Sequence, residues 1–447
     1  MAVSLIFAIL VTFQLTIVNI DAAQTCSKRE DVDVDISLPD REQLLSYINS
    51  QAITIDLIDR IVVTEFEDFK NVIKYHNAEA SDEVKMSLED IIKKNGYDVE
   101  NHTVTTTDGY VLTMQRIPGN SSEKVVFLQH GLLTNAADWV TVGPENALSY
   151  YLASKGYDVW LGNTRGNKYS EKNVNISSEC AEFWDFSFHD NGYYDLPAMV
   201  DYTLSTTGAS KLVYMGHSQG TTASYVLCSK RPEYNDKFKL IVSFAPVAYM
   251  SNIKSPLARL FALNTGLAYK LLKGIGKNSF LNDSVFLQQV SSLVCGNTRL
   301  AQIVCSNIVF AMYGFDVGNI KVEQLPVIIS HFFAGASSKQ IAHFGQLISS
   351  ARFCEFDYGT KNNQEVYGAN SPPDYDLSKI SAPVALIYAE NDWFSNSTDV
   401  LQLKRQLPNA VSSKDITDYN HVDHVWARNL FTITHPYIQK LLEKYDP

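Results

Sequence analysis

Lys211-Leu212-Val213-Tyr214-Met215-Gly216-His217-Ser218-Gln219-Gly220-Thr221-Thr222-Ala223 is the stretch on which the fold turns. An apolar run of β-forming residues stops at Gly216, a serine stands between two glycines, and a small-residue helical pattern follows. Gly-x-Ser-x-Gly between a strand and a helix puts the serine on a strained turn with its hydroxyl exposed. Neighbouring chain must pass so close that side chains at 216 and 220 would clash, so both positions are glycine. The helix that follows offers its first N–H groups, and its dipole favours negative charge there. An ordinary Gly-Ser turn has the same spelling; the strand before it and the helix after it favour a nucleophile.

Outward from this turn, strands and helices alternate. Residues 104–107 and 111–117 are β-rich and separated by Asp108-Gly109, a hairpin signal. Val125-Val126-Phe127-Leu128-Gln129 is a short apolar strand running into His130-Gly131-Leu132-Leu133. Residues 157–161 form another, ending in Gly162-Asn163-Thr164-Arg165-Gly166-Asn167. A helical stretch over 194–204 precedes the serine strand, and residues 240–245 form a further strand closed by Pro246. The alternation predicts an α/β fold, a mainly parallel sheet with helices on both faces. It breaks over 247–379, where Phe280, Val285, Phe286, Val290, Leu293 and Val294 suggest helices with wide apolar faces. That stretch is too long for a loop and reads as a helical insertion. Strands resume at 384–389 and 412–416, so the core divides into 87–246 and 380–447.

A nucleophilic serine needs a base, and the base needs a carboxylate to orient it. On a strand–helix turn of this kind the order is serine, acid, histidine, the last two at the ends of later strands. Val384-Ala385-Leu386-Ile387-Tyr388-Ala389 runs into Glu390-Asn391-Asp392, and the next strand into Asp418-Tyr419-Asn420-His421-Val422-Asp423-His424. His421 lies nearer its strand, whereas His424 begins a pattern with Val425, Trp426, Ala427 and Leu430 that reads as helix. Ser218 as nucleophile, an acid from Glu390-Asn391-Asp392 and His421 as base are therefore the expected catalytic set. The backbone N–H of Gln219 is one oxyanion donor, and a second should come from the 130–133 loop. His130 in that loop suits a buried structural role.

The chain has 447 residues, 45% of them hydrophobic and 11% aromatic, which suits a large core. A net charge of −12 argues against nucleic acid, which calls for basic surface. Residues 1–22 read as a secretory signal cut near Ala22 or Ala23, although no Lys or Arg precedes the apolar run; an uncleaved anchor is the alternative. No later run is long and apolar enough to span a bilayer. Residues 23–86 are acidic with a helical pattern, an accessory or pro-like segment carrying no chemical constellation. Asn-x-Ser/Thr sequons at Asn101, Asn120, Asn175, Asn282 and Asn396 predict glycosylation on the secretory route. The six cysteines are Cys26, Cys180, Cys228, Cys295, Cys305 and Cys354, too few for a disulfide-built fold. No Cys/His cluster has zinc-ligand spacing, so neither metal nor cofactor is expected.

Taken together, the stretches 125–133 and 156–167, Glu182-Phe183-Trp184, Tyr194-Asp195-Leu196-Pro197-Ala198, the serine motif and Tyr419-Asn420-His421 resemble the acid lipase family of the α/β-hydrolases. The resemblance runs from about Ser87 to near the C-terminus. It implies the α/β-hydrolase fold with a cap, Ser218, Asp392 and His421 as the triad, Leu132 and Gln219 as oxyanion donors, and a cap disulfide between Cys295 and Cys305. Glu390-Asn391-Asp392 departs from the Gly-Lys-Asp common in the family, and Tyr313 stands where relatives carry a cysteine. A glycan on Asn396 would crowd the Asp392 edge. The implied function is a secreted carboxylic-ester hydrolase acting on neutral lipid esters such as triacylglycerols at a lipid–water interface. An apolar insertion over the serine fits long acyl chains. A sterol-ester or short-acyl esterase, lysosomal delivery, and a non-catalytic lipid carrier on the same scaffold are the alternatives.

Overall fold

A computed structural model describes residues 81–121, 123–255 and 324–447, with isolated positions between 256 and 323. The leader and nearly all of the acidic N-terminal segment lie outside the described residues, as do Cys26, Asn282, Cys295, Cys305 and most of residues 256–323 within the expected cap.

Eight strands form one sheet: β1 (Glu100–Thr105), β2 (Val111–Ile117), β3 (Val125–Gln129), β4 (Asp158–Gly162), β5 (Leu212–His217), β6 (Phe238–Phe244), β7 (Val384–Tyr388) and β8 (Ala410–Asp415). Their spatial order is β1-β2-β4-β3-β5-β6-β7-β8. The β1–β2 hairpin is antiparallel and joins β4 antiparallel; every other pairing is parallel. β1 begins earlier than the sequence suggests, because Glu100 and Asn101 are exposed and show no apolar alternation.

The central strands are buried on both faces, which is why they are nearly continuous apolar runs. Alternate side chains enter opposite layers. Val126, Leu128, Val213, Met215, Val242 and Ile387 pack on one side, and Phe127, Tyr214, Ile241 and Leu386 on the other. The first layer holds helices α1 (Leu88–Lys94) and α2 (Leu148–Ser154). The second holds α3 (Leu196–Thr207) and α4 (Gln219–Lys230). From the stretch 247–379, α5 (Leu325–Phe332) joins the first layer and α6 (Ser338–Ser350) the second. After β7, α7 (Ser397–Gln406) packs on the second layer and α8 (His435–Tyr445) on the first. Truncating a fully buried ring such as Phe244 to alanine would cost about 3–5 kcal/mol. Because β3, β5, β7 and β8 run parallel, the loops carrying Leu132, Ser218, Asp392 and His421 leave the same edge of the sheet.

Asn101, Asn120 and Asn175 are exposed. Asn396 departs from the glycosylation expectation: it is 4% exposed, and its side-chain oxygen accepts the Thr398 N–H at 2.9 Å as the N-cap of α7. A buried cap leaves no room for a glycan. Cys180 is disulfide-bonded, while Cys228 and Cys354 are buried free thiols.

Candidate active site

Ser218 sits between the end of β5 and the start of α4 with φ 51° and ψ −118°. That backbone region costs a side-chain-bearing residue about 1–3 kcal/mol. The surrounding chain holds it there: the Ser218 N–H donates to Phe244 O at 3.0 Å, and its carbonyl accepts the Thr221 N–H at 2.8 Å. The flanking glycines answer to close approach. A Cβ at Gly216 would lie 2.7 Å from Gly220 C, and one at Gly220 would lie 2.5 Å from Gln129 O. Real Cβ atoms do not approach backbone that closely, so the clash inferred from the sequence is present at both positions.

His421 faces Ser218. Its Nε2 is 2.8 Å from Ser218 Oγ, and its Nδ1 lies 2.9 Å from Asp392 Oδ2 and 3.1 Å from Oδ1. A carboxylate can only accept, so Nδ1 carries the proton and Nε2 is left to accept from the serine hydroxyl. Asp392 is fully buried, and its Oδ1 also accepts the N–H groups of Phe394 and Ser395, each at 2.8 Å. Burial pushes this carboxyl up, but the His421 imidazole and the hydrogen bonds outweigh it, so Asp392 stays ionised below the usual carboxylate range.

The histidine loop is shaped by Asn420. Its Oδ1 accepts the Val422 and Asp423 N–H groups, its Nδ2 donates to Gly314 O at 3.1 Å, and its own N–H donates to Asp423 Oδ2 at 2.7 Å. His424 follows on the short helix Asp423–Trp426, and the ring that bonds the serine hydroxyl is that of His421. Burial pushes His424 down to about 4, and neither ring nitrogen has a hydrogen-bond partner among the described residues. The serine's partner is thus His421, as the sequence suggests.

His421 is also enclosed by rings. Tyr313 stacks on it with centroids 5.7 Å apart, and Phe394 lies at 5.3 Å. His217, within the serine motif, donates from Nε2 to the His421 carbonyl at 2.8 Å. Tyr313, the departure noted in the sequence, therefore covers the imidazole.

The 130–133 loop closes the opposite side. A Cβ on Gly131 would stand 3.2 Å from Ser218 Cβ, which measures how near this loop runs. Leu133 takes φ 66°. Its N–H neighbour at Leu132 and the N–H of Gln219 have no protein acceptor among the described residues. Gln219 is the first residue of α4, where no intrahelical acceptor exists. His130 is structural as expected: Nδ1 donates to Gly131 O at 2.7 Å, Nε2 accepts the Thr164 N–H at 3.2 Å, and burial pushes it down to about 4.

Two groups near the site had no assigned role in the sequence. Arg165 is buried and binds Asp195 through Nε at 2.7 Å and Asp108 through two nitrogens at 2.6 and 2.9 Å, tying the loop after β4 to α3 and the hairpin. The Gly162–Asn167 stretch was visible as a motif, but its acidic partners lie 30 and 57 residues away. Gln340, from α6, reaches Gln219. Nothing local in the sequence marks that contact.

An imidazole bridging a buried carboxylate and a serine hydroxyl, on the strand–helix turn of a parallel sheet, defines an α/β-hydrolase of the serine type. Residues 88–143 match the family described as partial alpha/beta-hydrolase lipase region, and residues 124–269 match alpha/beta hydrolase fold. The chain is 40% identical to Lipase 3 of Drosophila melanogaster, over 79% of this chain and 92% of that protein. It is 39% identical to gastric triacylglycerol lipase of Rattus norvegicus, over 77% and 88%, and 35% identical to Lipase member M of Homo sapiens, over 82% and 88%. The chain belongs to this lipase family of the α/β-hydrolases.

Proposed function

We propose that the protein is a secreted serine lipase that cleaves neutral lipid esters, triacylglycerols among them, through an acyl-enzyme on Ser218. The observation that carries this reading is the position of His421, within hydrogen-bond reach of both Ser218 Oγ and Asp392. Ser218 Oγ attacks the ester carbonyl as His421 Nε2 takes its proton. The N–H groups of Leu132 and Gln219 receive the oxyanion, each such donor being worth about 3–4 kcal/mol in comparable sites. His421 returns the proton to the departing alcohol, and Asp392 holds the tautomer and steadies the imidazolium. A water then attacks the acyl carbonyl as His421 Nε2 takes its proton, the bond from Ser218 Oγ to the acyl carbon breaks with that proton returned to Oγ, and the fatty acid is released. No metal or cofactor takes part.

Secretion rests on the leader-like residues 1–22, on the exposed sequons and on the disulfide of Cys180, which belongs to an oxidising compartment. No helix among the described residues is long and apolar enough to cross a membrane. The apolar insertion over the site fits a lipid–water interface, and Cys295–Cys305 would brace it.

The test is turnover of a long-chain triacylglycerol, a cholesteryl ester and a short-chain p-nitrophenyl ester by the protein and by Ser218→Ala. Triacylglycerol hydrolysis by the first and none by the folded variant is expected. Cleavage of only the short or the sterol ester would replace the substrate class. Undiminished turnover by Ser218→Ala would overturn the mechanism.

A further inference from the structure

The insertion contributes a side chain to the oxyanion side of the site. Gln340 stands in the first turn of α6. Its Oε1 accepts the Ser337 N–H at 3.0 Å, completing that helix's cap. Its Nε2 donates to Asn191 Oδ1 at 2.7 Å and to Gln219 Oε1 at 3.2 Å. Asn191 Nδ2 donates in turn to Asp195 Oδ2 at 2.9 Å, and Asp195 is gripped by Arg165. All five side chains are at most 3% exposed.

This chain fixes the direction of each amide. Asp195 can only accept, so Asn191 turns its NH2 toward it and its oxygen toward Gln340. Gln340 must then donate, and Gln219 meets it with its own oxygen. A buried amide oxygen deprived of its donor keeps its full desolvation cost, so the arrangement resists rotation.

Gln219 matters because its backbone N–H adjoins the nucleophile. No intrahelical bond holds that N–H, and its side chain is the handle by which the fold can fix it. We infer that Gln340 is a positioning residue: it holds Gln219 so that the Gln219 N–H points at the place the oxyanion takes. The inference rests on the serine-lipase reading above. Its consequence is that a displacement of α6 is felt at the oxyanion donors without disturbing Asp392 or His421.

The test compares the protein with Gln340→Met, Gln219→Met and the double variant on a soluble ester and on the matching thionoester, whose sulfur is a poor acceptor for N–H groups. Misaligning a donor costs less than removing one, so each single variant should lose roughly tenfold in kcat with KM within about twofold. The double variant should lose no more than either single one, and the preference for ester over thionoester should fall. Undiminished kcat in folded Gln340→Met, an equal loss on both substrates, or losses that multiply in the double variant would overturn it. Should Gln340→Met not fold, Gln219→Met decides alone, since it leaves the α6 cap intact; unchanged kcat and preference there would overturn the inference. Ser218→Ala is assayed alongside. A dead Ser218→Ala with unimpaired Gln340→Met removes only this inference, whereas an active Ser218→Ala removes the reading beneath it.

Discussion

Asp392→Asn isolates what the buried carboxylate does. Two backbone N–H groups, from Phe394 and Ser395, converge on Oδ1, while Oδ2 faces His421 Nδ1. Asparagine has one oxygen for these two places. With the oxygen toward the backbone, its NH2 faces His421 Nδ1, which must then accept. The imidazole proton moves to Nε2, and no lone pair remains for Ser218. With the amide reversed, its NH2 meets two N–H groups in a fully buried site, leaving three buried donors unpaired at about 1–3 kcal/mol each. The first arrangement is lower, so the variant should fold with the wrong tautomer. The same substitution in serine proteases lowers kcat by about 10⁴, equivalent to about 5.4 kcal/mol at 1.36 kcal/mol per decade. Steady-state hydrolysis of a soluble ester, with circular dichroism as a folding check, measures this. A loss smaller than tenfold in the folded variant would refute the tautomer argument.

Other consequences follow from the same geometry. His421→Ala should cost at least about a thousandfold in kcat, whereas His424→Ala, which does not touch Ser218, should stay active on the same ester once folding is verified; the reverse pattern would exchange their roles. Gly220→Ala drives a Cβ to 2.5 Å from Gln129 O and should abolish activity or folding; a normal melting temperature with normal kcat would contradict the packing. Stability should fall on acidification. Burial pushes His130, His424 and His435 down to about 4. The unfolded chain therefore takes up protons first, and the stability, complete above about pH 6.5, is lost toward pH 4, on the order of 3 kcal/mol for each histidine. Asp138 acts in the opposite sense: burial pushes it up to about 7, so its contribution, on the order of 4 kcal/mol, is present at low pH and lost as pH rises. Three histidines outweigh one carboxyl, and calorimetry should find a lower Tm at pH 4.5 than at pH 7; a higher one would refute the balance.

The nucleophile turn was legible because its spelling is local, a strand, a serine between two glycines and a helix start, even though the backbone that forces Gly220 is that of Gln129. The choice of His421 over His424 was legible for the same reason, since a helix begins between them. What escaped is long-range or depends on burial. Gln340 meets Gln219 across 121 residues, and α6 by itself shows only an amphipathic helix with a capping box. The sequon at Asn396 is a tripeptide, which encodes neither its burial nor its use as a cap. The His217 bond to the His421 carbonyl spans 204 residues and uses a position the serine motif leaves open.

The most direct test is to treat the protein with a fluorophosphonate ester and locate the adduct by peptide mass spectrometry. One adduct, on Ser218, formed as ester hydrolysis is lost and strongly slowed in His421→Ala, is the predicted result. An unlabelled Ser218 in protein that has lost its hydrolysis, or full hydrolysis with Ser218 labelled, would contradict the account.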